Sequence, residues 1–380
     1  MQLILTEDQE LLAKTAEDFV AEMSPVKRMR ELRDAKDPDG FSRTLWKEMA
    51  ELGWVGVPFP EEYGGAEMGL AELAVILEPL GRALAPEPFI STVLLGGEAL
   101  LLGGSEEQKK KWLAGVAAGE TFLSLAYQEK RSRYDLHRVA TRAAEDGDGW
   151  KISGEKIQVL EGSSADALIV SARTAGEEGD ADGITLFIVP SDAAGLAVTR
   201  QHRVDSRGAA LVRLDEVAVG ADSVVGAPGE GGALLESVVD RATAGLCAEM
   251  LGSMSEALDR TLQYLKDRKQ FGVPIGSFQA LKHRAAEMYT QIELSRSAVM
   301  AAVRAVDADA PDAPLLVSLA KARCSDASIL VANEAIQMFG GIGMTDEEEI
   351  GFFLKRARVA ELTFGDAAWH RDRWARLSGY

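Results

Sequence analysis

Apolar residues in the first third of the chain recur three and four positions apart, the spacing of helices that bury one face. Thr6-Glu7-Asp8-Gln9 opens the first: Thr6 is placed to cap it and Gln9 to answer three residues later, ahead of Leu11, Leu12, Ala16 and Phe19. Trp46, Met49, Leu52 and Trp54 form a second apolar stripe. Gly-Val-Pro-Phe-Pro-Glu-Glu-Tyr-Gly-Gly (56–65) then breaks the pattern, since two prolines forbid helix and paired glycines turn the chain. Leu70 to Leu84 reads as a helix kinked at Pro79 and ended before Pro86.

From about residue 119 the period falls to two. Thr121–Ala126, Ala167–Ala172, Gly183–Val189 and Leu211–Val219 read as strands. Val139–Ala143 and Trp150–Ser153 flank Glu145-Asp146-Gly147-Asp148-Gly149, a hairpin signal. The acidic, Gly-rich stretch 174–183 reads as a solvated and functionally silent loop. Helical spacing returns near residue 228: Ala233–Lys266 as one or two helices, Phe278–Val306, Leu315–Met338, and an interrupted Leu354–Leu377. The expected architecture is α+β: an N-terminal helical domain (1–118), a middle antiparallel β-barrel or sandwich (119–227), and a C-terminal four-helix bundle (228–380).

With 380 residues the chain has room for two or three packed units. A formal charge of −19 argues against nucleic acid or an anionic membrane as partner, because both need a basic face. No apolar run approaches the roughly 18 residues of a spanning helix. The N-terminus lacks the basic region of a signal peptide, and a cytoplasmic location is expected. Cys247 and Cys324 lie in apolar helical surroundings and read as small buried hydrophobes. His137, His202, His283 and His370 are scattered without ligand spacing, so no metal site is expected. His370-Arg371-Asp372-Arg373 reads as a solvated helix face.

Two stretches carry candidate chemistry. Arg268-Lys269-Gln270-Phe271-Gly272-Val273-Pro274-Ile275 interrupts two long helical patterns, and Phe278-Gln279-Ala280 follows. Cations in a last helical turn, a Gly and a Pro are helix punctuation, which leaves Phe271 without a reason. Gln337-Met338-Phe339-Gly340-Gly341-Ile342-Gly343 is either a helix C-cap or a glycine stretch that lets backbone N–H groups approach a phosphate.

Together, Arg-Lys-Gln-Phe-Gly-x-Pro-Ile-x-x-Phe-Gln-Ala and Gln-x-x-Gly-Gly resemble signatures of the acyl-CoA dehydrogenase flavoproteins, and the resemblance spans nearly the whole chain, the Pro-Glu-Glu-Tyr-Gly-Gly turn included. It implies FAD as cofactor and an acyl-CoA thioester as substrate, with electron-transfer flavoprotein as acceptor. It also implies that Arg268, Gln270, Phe271, Gln337, Gly340 and Gly341 reach the FAD of a neighbouring subunit in a tetramer. A guanidinium forks onto phosphate, and an aromatic face packs on a planar ring.

The sequence departs from the family where the reaction's base is expected. Counted from the two motifs, the family's glutamate positions fall on Phe364 and Ala242, neither of which takes a proton. The nearest carboxylates, Asp366 and Asp240, are the remaining candidates, each also readable as a positional or helix-surface residue. The Gly-rich flavin turn is replaced by Gln128-Glu129-Lys130-Arg131-Ser132-Arg133-Tyr134-Asp135, and Trp-x-Thr by Gln158-Val159-Leu160. The cations at 130, 131 and 133 are either solvated or a lure for an anionic coenzyme A or acyl tail. These departures look most like the small subunit of a two-component, pimeloyl-CoA-type dehydrogenase that pairs with a homologous chain. A flavin-dependent monooxygenase or oxidase on the same fold, and a catalytically silent partner subunit, are the alternatives.

Overall fold

The computed structural model describes residues 4–380, and the chain divides into two compact units. One is helical: the chain up to Glu31, Gly69–Ala85 and Thr243–Tyr380. The other, Leu32–Met68 with Pro86–Ala242, carries the sheet. In chain order the fold is helical, then β, then a helical bundle.

The first helices are α1 (Glu7–Met23), α2 (Val26–Ala35), α3 (Arg43–Glu51), α4 (Leu70–Arg82), α5 (Glu98–Gly103) and α6 (Glu106–Ala117). Thr6 and Gln9 exchange the expected bonds, 3.2 Å and 3.0 Å, at the start of α1. The second stripe is shorter than it reads, because α3 stops at Glu51 and Leu52 is exposed. Helix α4 runs on through Pro79 to Arg82. Phe89–Gly97 forms a buried stretch of π-helix, and Trp46 meets Phe89 edge-on at 4.9 Å.

The strands are β1 (Leu123–Ala126), β2 (Arg142–Asp146), β3 (Gly149–Leu160), β4 (Ala167–Arg173), β5 (Ile184–Pro190), β6 (Leu196–His202), β7 (Gly208–Gly220) and β8 (Val224–Val225). They form one eight-stranded sheet, ordered β6-β7-β3-β2-β4-β5-β8, with β1 also on β4. Pairing is antiparallel except that β4 runs parallel to β1 and β2. The hairpin appears where the Gly-Asp signal lies, with Asp146 opposite Gly149. Alternating residues of β3, β4, β5 and β7 close over a core that includes Ile152, Leu168, Val170, Phe187 and Val212. The loop at 174–183 is exposed but not loose. Buried Arg173 donates to the carbonyls of His137, Val139, Asp180 and Asp182.

A single 37-residue helix, α7 (Gly231–Asp267), leaves the sheet. A two-residue pair of strands, β9 (Lys269–Gln270) and β10 (Val273–Pro274), joins it to α8 (Gln279–Asp307); α9 (Ala313–Phe339), α10 (Ile350–Leu362) and α11 (Ala367–Leu377) follow. Helix α9 is central and packs on α8, α10 and α11. Helices α4 and α7 touch backbone to backbone. A Cβ on Gly252 would sit 1.8 Å from the Glu78 carbonyl oxygen, and one on Gly81 2.0 Å from that of Glu249, so only glycine fits. Beside this contact, buried Glu249 and Arg356 pair at 3.0 Å.

Candidate functional site: an exposed corner and a buried turn

Helix α7 ends where the Arg268 amide bonds to the Tyr264 carbonyl, and the next residues form a tight hairpin. Gln270 lies opposite Val273 and Lys269 opposite Pro274, leaving Phe271 and Gly272 at the tip. Both have positive φ, 55° and 80°, as a two-residue turn of the I′ kind requires. Glycine enters that region freely, whereas an aromatic residue there costs on the order of 1 kcal/mol. Phe271 recovers little by burial, since it is 92% exposed, with the Phe278 ring edge-on to it at 6.1 Å between centres. Arg268, Lys269 and Gln270 are exposed around it. Helix punctuation accounts for Gly272 and Pro274 and does not account for Phe271.

The end of α9 lies at the same corner. Tyr264, one turn before Arg268, stacks on Phe339 with ring centres 4.3 Å apart and planes 16° from parallel. Gly340 follows with φ 68° and ψ −143°, a conformation that only glycine adopts without strain. The three glycines here have different reasons. A Cβ on Gly343 would press 2.9 Å against Phe339, so packing demands it. A Cβ on Gly340 or Gly341 would meet nothing within 4 Å, so no internal packing explains the missing side chains. Gln337 is exposed beside them. Two motifs 69 residues apart thus share one stacked aromatic pair and one open, exposed backbone.

The positions counted as catalytic look different. Ala242 is fully buried on α7, and Asp240 is half-buried roughly 200° around the same helix. Phe364 is buried in the turn between α10 and α11, with φ 62°. Asp366 caps α11, its Oδ1 accepting from the Trp369 amide at 2.9 Å. Two side chains hold this turn from beneath, one that the sequence reading passed over and one that it placed in solvent. Lys321, fully buried on α9, donates to the carbonyls of Gly365 (2.6 Å) and Glu361 (2.9 Å) and to Ser325 Oγ (3.1 Å). His370 bonds through Nε2 to the Phe364 carbonyl at 3.1 Å. The expectation of a solvated face at 370–373 is corrected at His370, which is 1% exposed with its ring turned inward to that carbonyl, while Arg371 and Asp372 are exposed as expected.

Burial sets the charges under the turn. It pulls the Lys321 ammonium down to about 8. It also takes His370 to about 3, helped by the nearby Lys321 and Arg373 cations, so the imidazole is neutral. Cys247 and Cys324 are free thiols in the same buried layer, and the bond to Cys247 together with burial raises the Cys324 thiol.

In the sheet unit, the residues that replace the Gly-rich turn sit over a buried ion pair. Lys156 Nζ lies 2.6 Å from Glu129 Oε1 and 3.0 Å from Ser171 Oγ, and the Glu129 carboxylate also accepts from the amides of Ala140 and Thr141. Burial alone would raise Glu129, but Lys156 and these donors outweigh it and leave its carboxyl below the ordinary range. Lys130 is exposed and paired with Glu155 at 3.1 Å, and the Arg133 guanidinium lies over the Tyr134 ring. Among the described residues no group of His, Cys, Asp and Glu could hold a metal, and no helix is long and apolar enough to cross a membrane.

Known proteins resemble this chain along nearly its whole length. Residues 6–120, 124–217 and 229–378 match the acyl-CoA dehydrogenase N-terminal, middle and C-terminal domains. A probable acyl-CoA dehydrogenase of Bacillus subtilis, YngJ, is 32% identical over 377 residues, covering 98% of each chain. Butyryl-CoA dehydrogenase from Megasphaera elsdenii superposes with a TM-score of 0.92 at 26% identity, covering all of both chains. A chain of the ChsE4-ChsE5 complex from Mycobacterium tuberculosis superposes at 0.90 with 27% identity, covering 100% of this chain and 99% of that one. In sequence, domain order and fold, this chain belongs to the acyl-CoA dehydrogenase family.

Proposed function

We propose that the chain takes part in FAD-dependent α,β-dehydrogenation of an acyl-CoA thioester as one subunit of a heteromeric tetramer. In this reading its exposed corner serves the flavin of a homologous partner chain. The observation that carries it is the contrast within the helical unit: an outward-facing corner with open glycines, beside a buried apolar residue at the base position. Arg268 would hold the dinucleotide's phosphates, Phe271 would pack on a planar ring, and Gln270 and Gln337 would offer amides. The open backbone at Gly340 and Gly341 fits such a group, since none of the described residues occupies the space their side chains would take.

When bound, FAD would accept the hydride that leaves the β-carbon. The α-proton needs a carboxylate within bonding reach, and neither Phe364 nor Ala242 supplies one. The Asp366 carboxylate is held as the cap of α11, with one oxygen accepting from the Trp369 amide. We therefore assign proton removal to the partner's site and electron removal to an electron-transfer flavoprotein. The chain acts through three domains, 1–118, 119–227 and 228–380. That a solved neighbour is named as a complex of two chains, ChsE4 and ChsE5, supports a heteromer. The test is purification alone and with the companion encoded beside it. The pair should oxidise acyl-CoA while the lone chain does not; ordinary rates from the lone chain would defeat the heteromer.

A further inference from the structure

The helical unit encloses a second feature that the proposed function leaves unused. Helices α1, α4, α7 and α8 surround a cavity of about 420 Å³, lined by Leu5 just before α1, by Gln9, Ala13 and Glu17 on it, and from Tyr289 to Arg304 on α8. The twelve steps from Leu5 to Glu17 and the fifteen from Tyr289 to Arg304 correspond to roughly 18 to 22 Å at helical rise, so the space is a slot. Ala74 and Val75 of α4, Leu251 and Leu258 of α7, and Ile292 and Val299 of α8 supply the apolar part of its walls, between polar and charged residues.

Three guanidinium groups line it, and two are engaged by carboxylates. Arg82 pairs with Asp259 (2.7 Å) and Glu256 (2.9 Å). Arg296 grips both oxygens of Glu78 (2.7 and 2.8 Å) and reaches Glu293 at 3.4 Å. Arg304 is different. Its Nη2 donates to the Ile4 carbonyl at 2.5 Å, while its Nη1 is buried without a hydrogen-bond partner. A cationic N–H shut away from water without an acceptor is costly, so this end of the slot favours an anionic oxygen. The Ile4 contact places the Leu5 end of α1 at Arg304. Exposed Glu17 therefore lies roughly 18 Å along the slot, too far to oppose a charge there.

We propose that this slot binds a linear, apolar monocarboxylate, a medium-chain free fatty acid, with its carboxylate on Arg304 and its tail running towards Tyr289. The ligand is the free acid and not the thioester, because the guanidinium asks for a charged, unesterified oxygen. The site is separate from the exposed corner and from the α10–α11 turn, so it stands whether or not the dehydrogenase reading does.

Decanoate titrated calorimetrically into the full chain tests it, with decan-1-ol as the uncharged control. One equivalent per chain should bind, Arg304→Gln should weaken binding at least tenfold, and Ala74→Phe should abolish it by filling the slot. Saturating decanoyl-CoA should not displace the acid. A decanoate carrying a diazirine should label peptides from 71–82 and 289–304, a readout that does not depend on any variant folding. The proposal is overturned by any of four results: no saturable binding, equal affinity for decan-1-ol or for Arg304→Gln, displacement by decanoyl-CoA, or labelling confined to other peptides.

Discussion

The corner at 268–272 and 337–341 and the turn at 362–366 belong to the same helical unit and answer to opposite demands. At the turn every unusual feature has an internal partner. The left-handed Phe364 is held through its carbonyl by His370, Gly365 is held through its own by Lys321, and Asp366 caps the next helix. At the corner the unusual features are exposed: an aromatic side chain in a strained conformation faces solvent with only a ring edge near it, and two glycines face open space. Strain that the fold resolves internally is structural. Strain that the fold leaves exposed points outward, to something the chain meets.

The comparison can be broken first at the turn. Lys321→Met would strand two buried carbonyls and Ser325 Oγ, and should destabilise the helical unit by about 2–4 kcal/mol in denaturant unfolding. A loss below about 1 kcal/mol would show that the turn does not depend on its buried lysine.

His370 sharpens the same side through pH. Its folded-state value, about 3, lies below the ordinary 6.5, so its contribution is present above pH 6.5 and lost as the pH falls towards 3. The unfolded chain takes up the proton first, which costs about 1.4 kcal/mol per pH unit across that window. Between pH 6.5 and 5 the wild type should therefore lose about 2 kcal/mol more than His370→Gln. Parallel stability curves for the two proteins would remove the buried imidazole from the account.

How much of this was legible beforehand follows from the range of each interaction. Helices α7, α8 and α9 were visible because their apolar spacing persists over many turns, and the β2–β3 hairpin because Gly and Asp mark a local turn. The glycines of the corner were visible as motifs, but not that Tyr264 and Phe339 would bring them together. Lys321 and Lys156 were illegible for one reason, while His370, whose acceptor lies only six residues before it, was masked by the charged residues that follow it. A charged residue in a helix or strand reads as solvated, and only tertiary structure shows the carbonyls or carboxylate 27 to 44 residues away that accept its protons. Strand β6 escaped notice because its residues are only half-buried or exposed, without the continuous apolar run of β4 or β5.

The smallest expected effect concerns the candidate base. Asp366→Asn keeps a cap acceptor, so stability should change by less than about 0.5 kcal/mol. Dehydrogenation by the assembled enzyme should stay within about twofold, and a loss beyond about a hundredfold would make Asp366 the proton acceptor after all.

The most direct measurement is the flavin content of the assembled enzyme when only this chain carries Arg268→Ala. Losing one charge-assisted contact to phosphate should weaken flavin retention by about tenfold to a hundredfold, with the thermal stability of the lone chain unchanged. An assembled enzyme that keeps its full flavin absorbance without Arg268 would contradict the claim that this corner holds a neighbour's coenzyme.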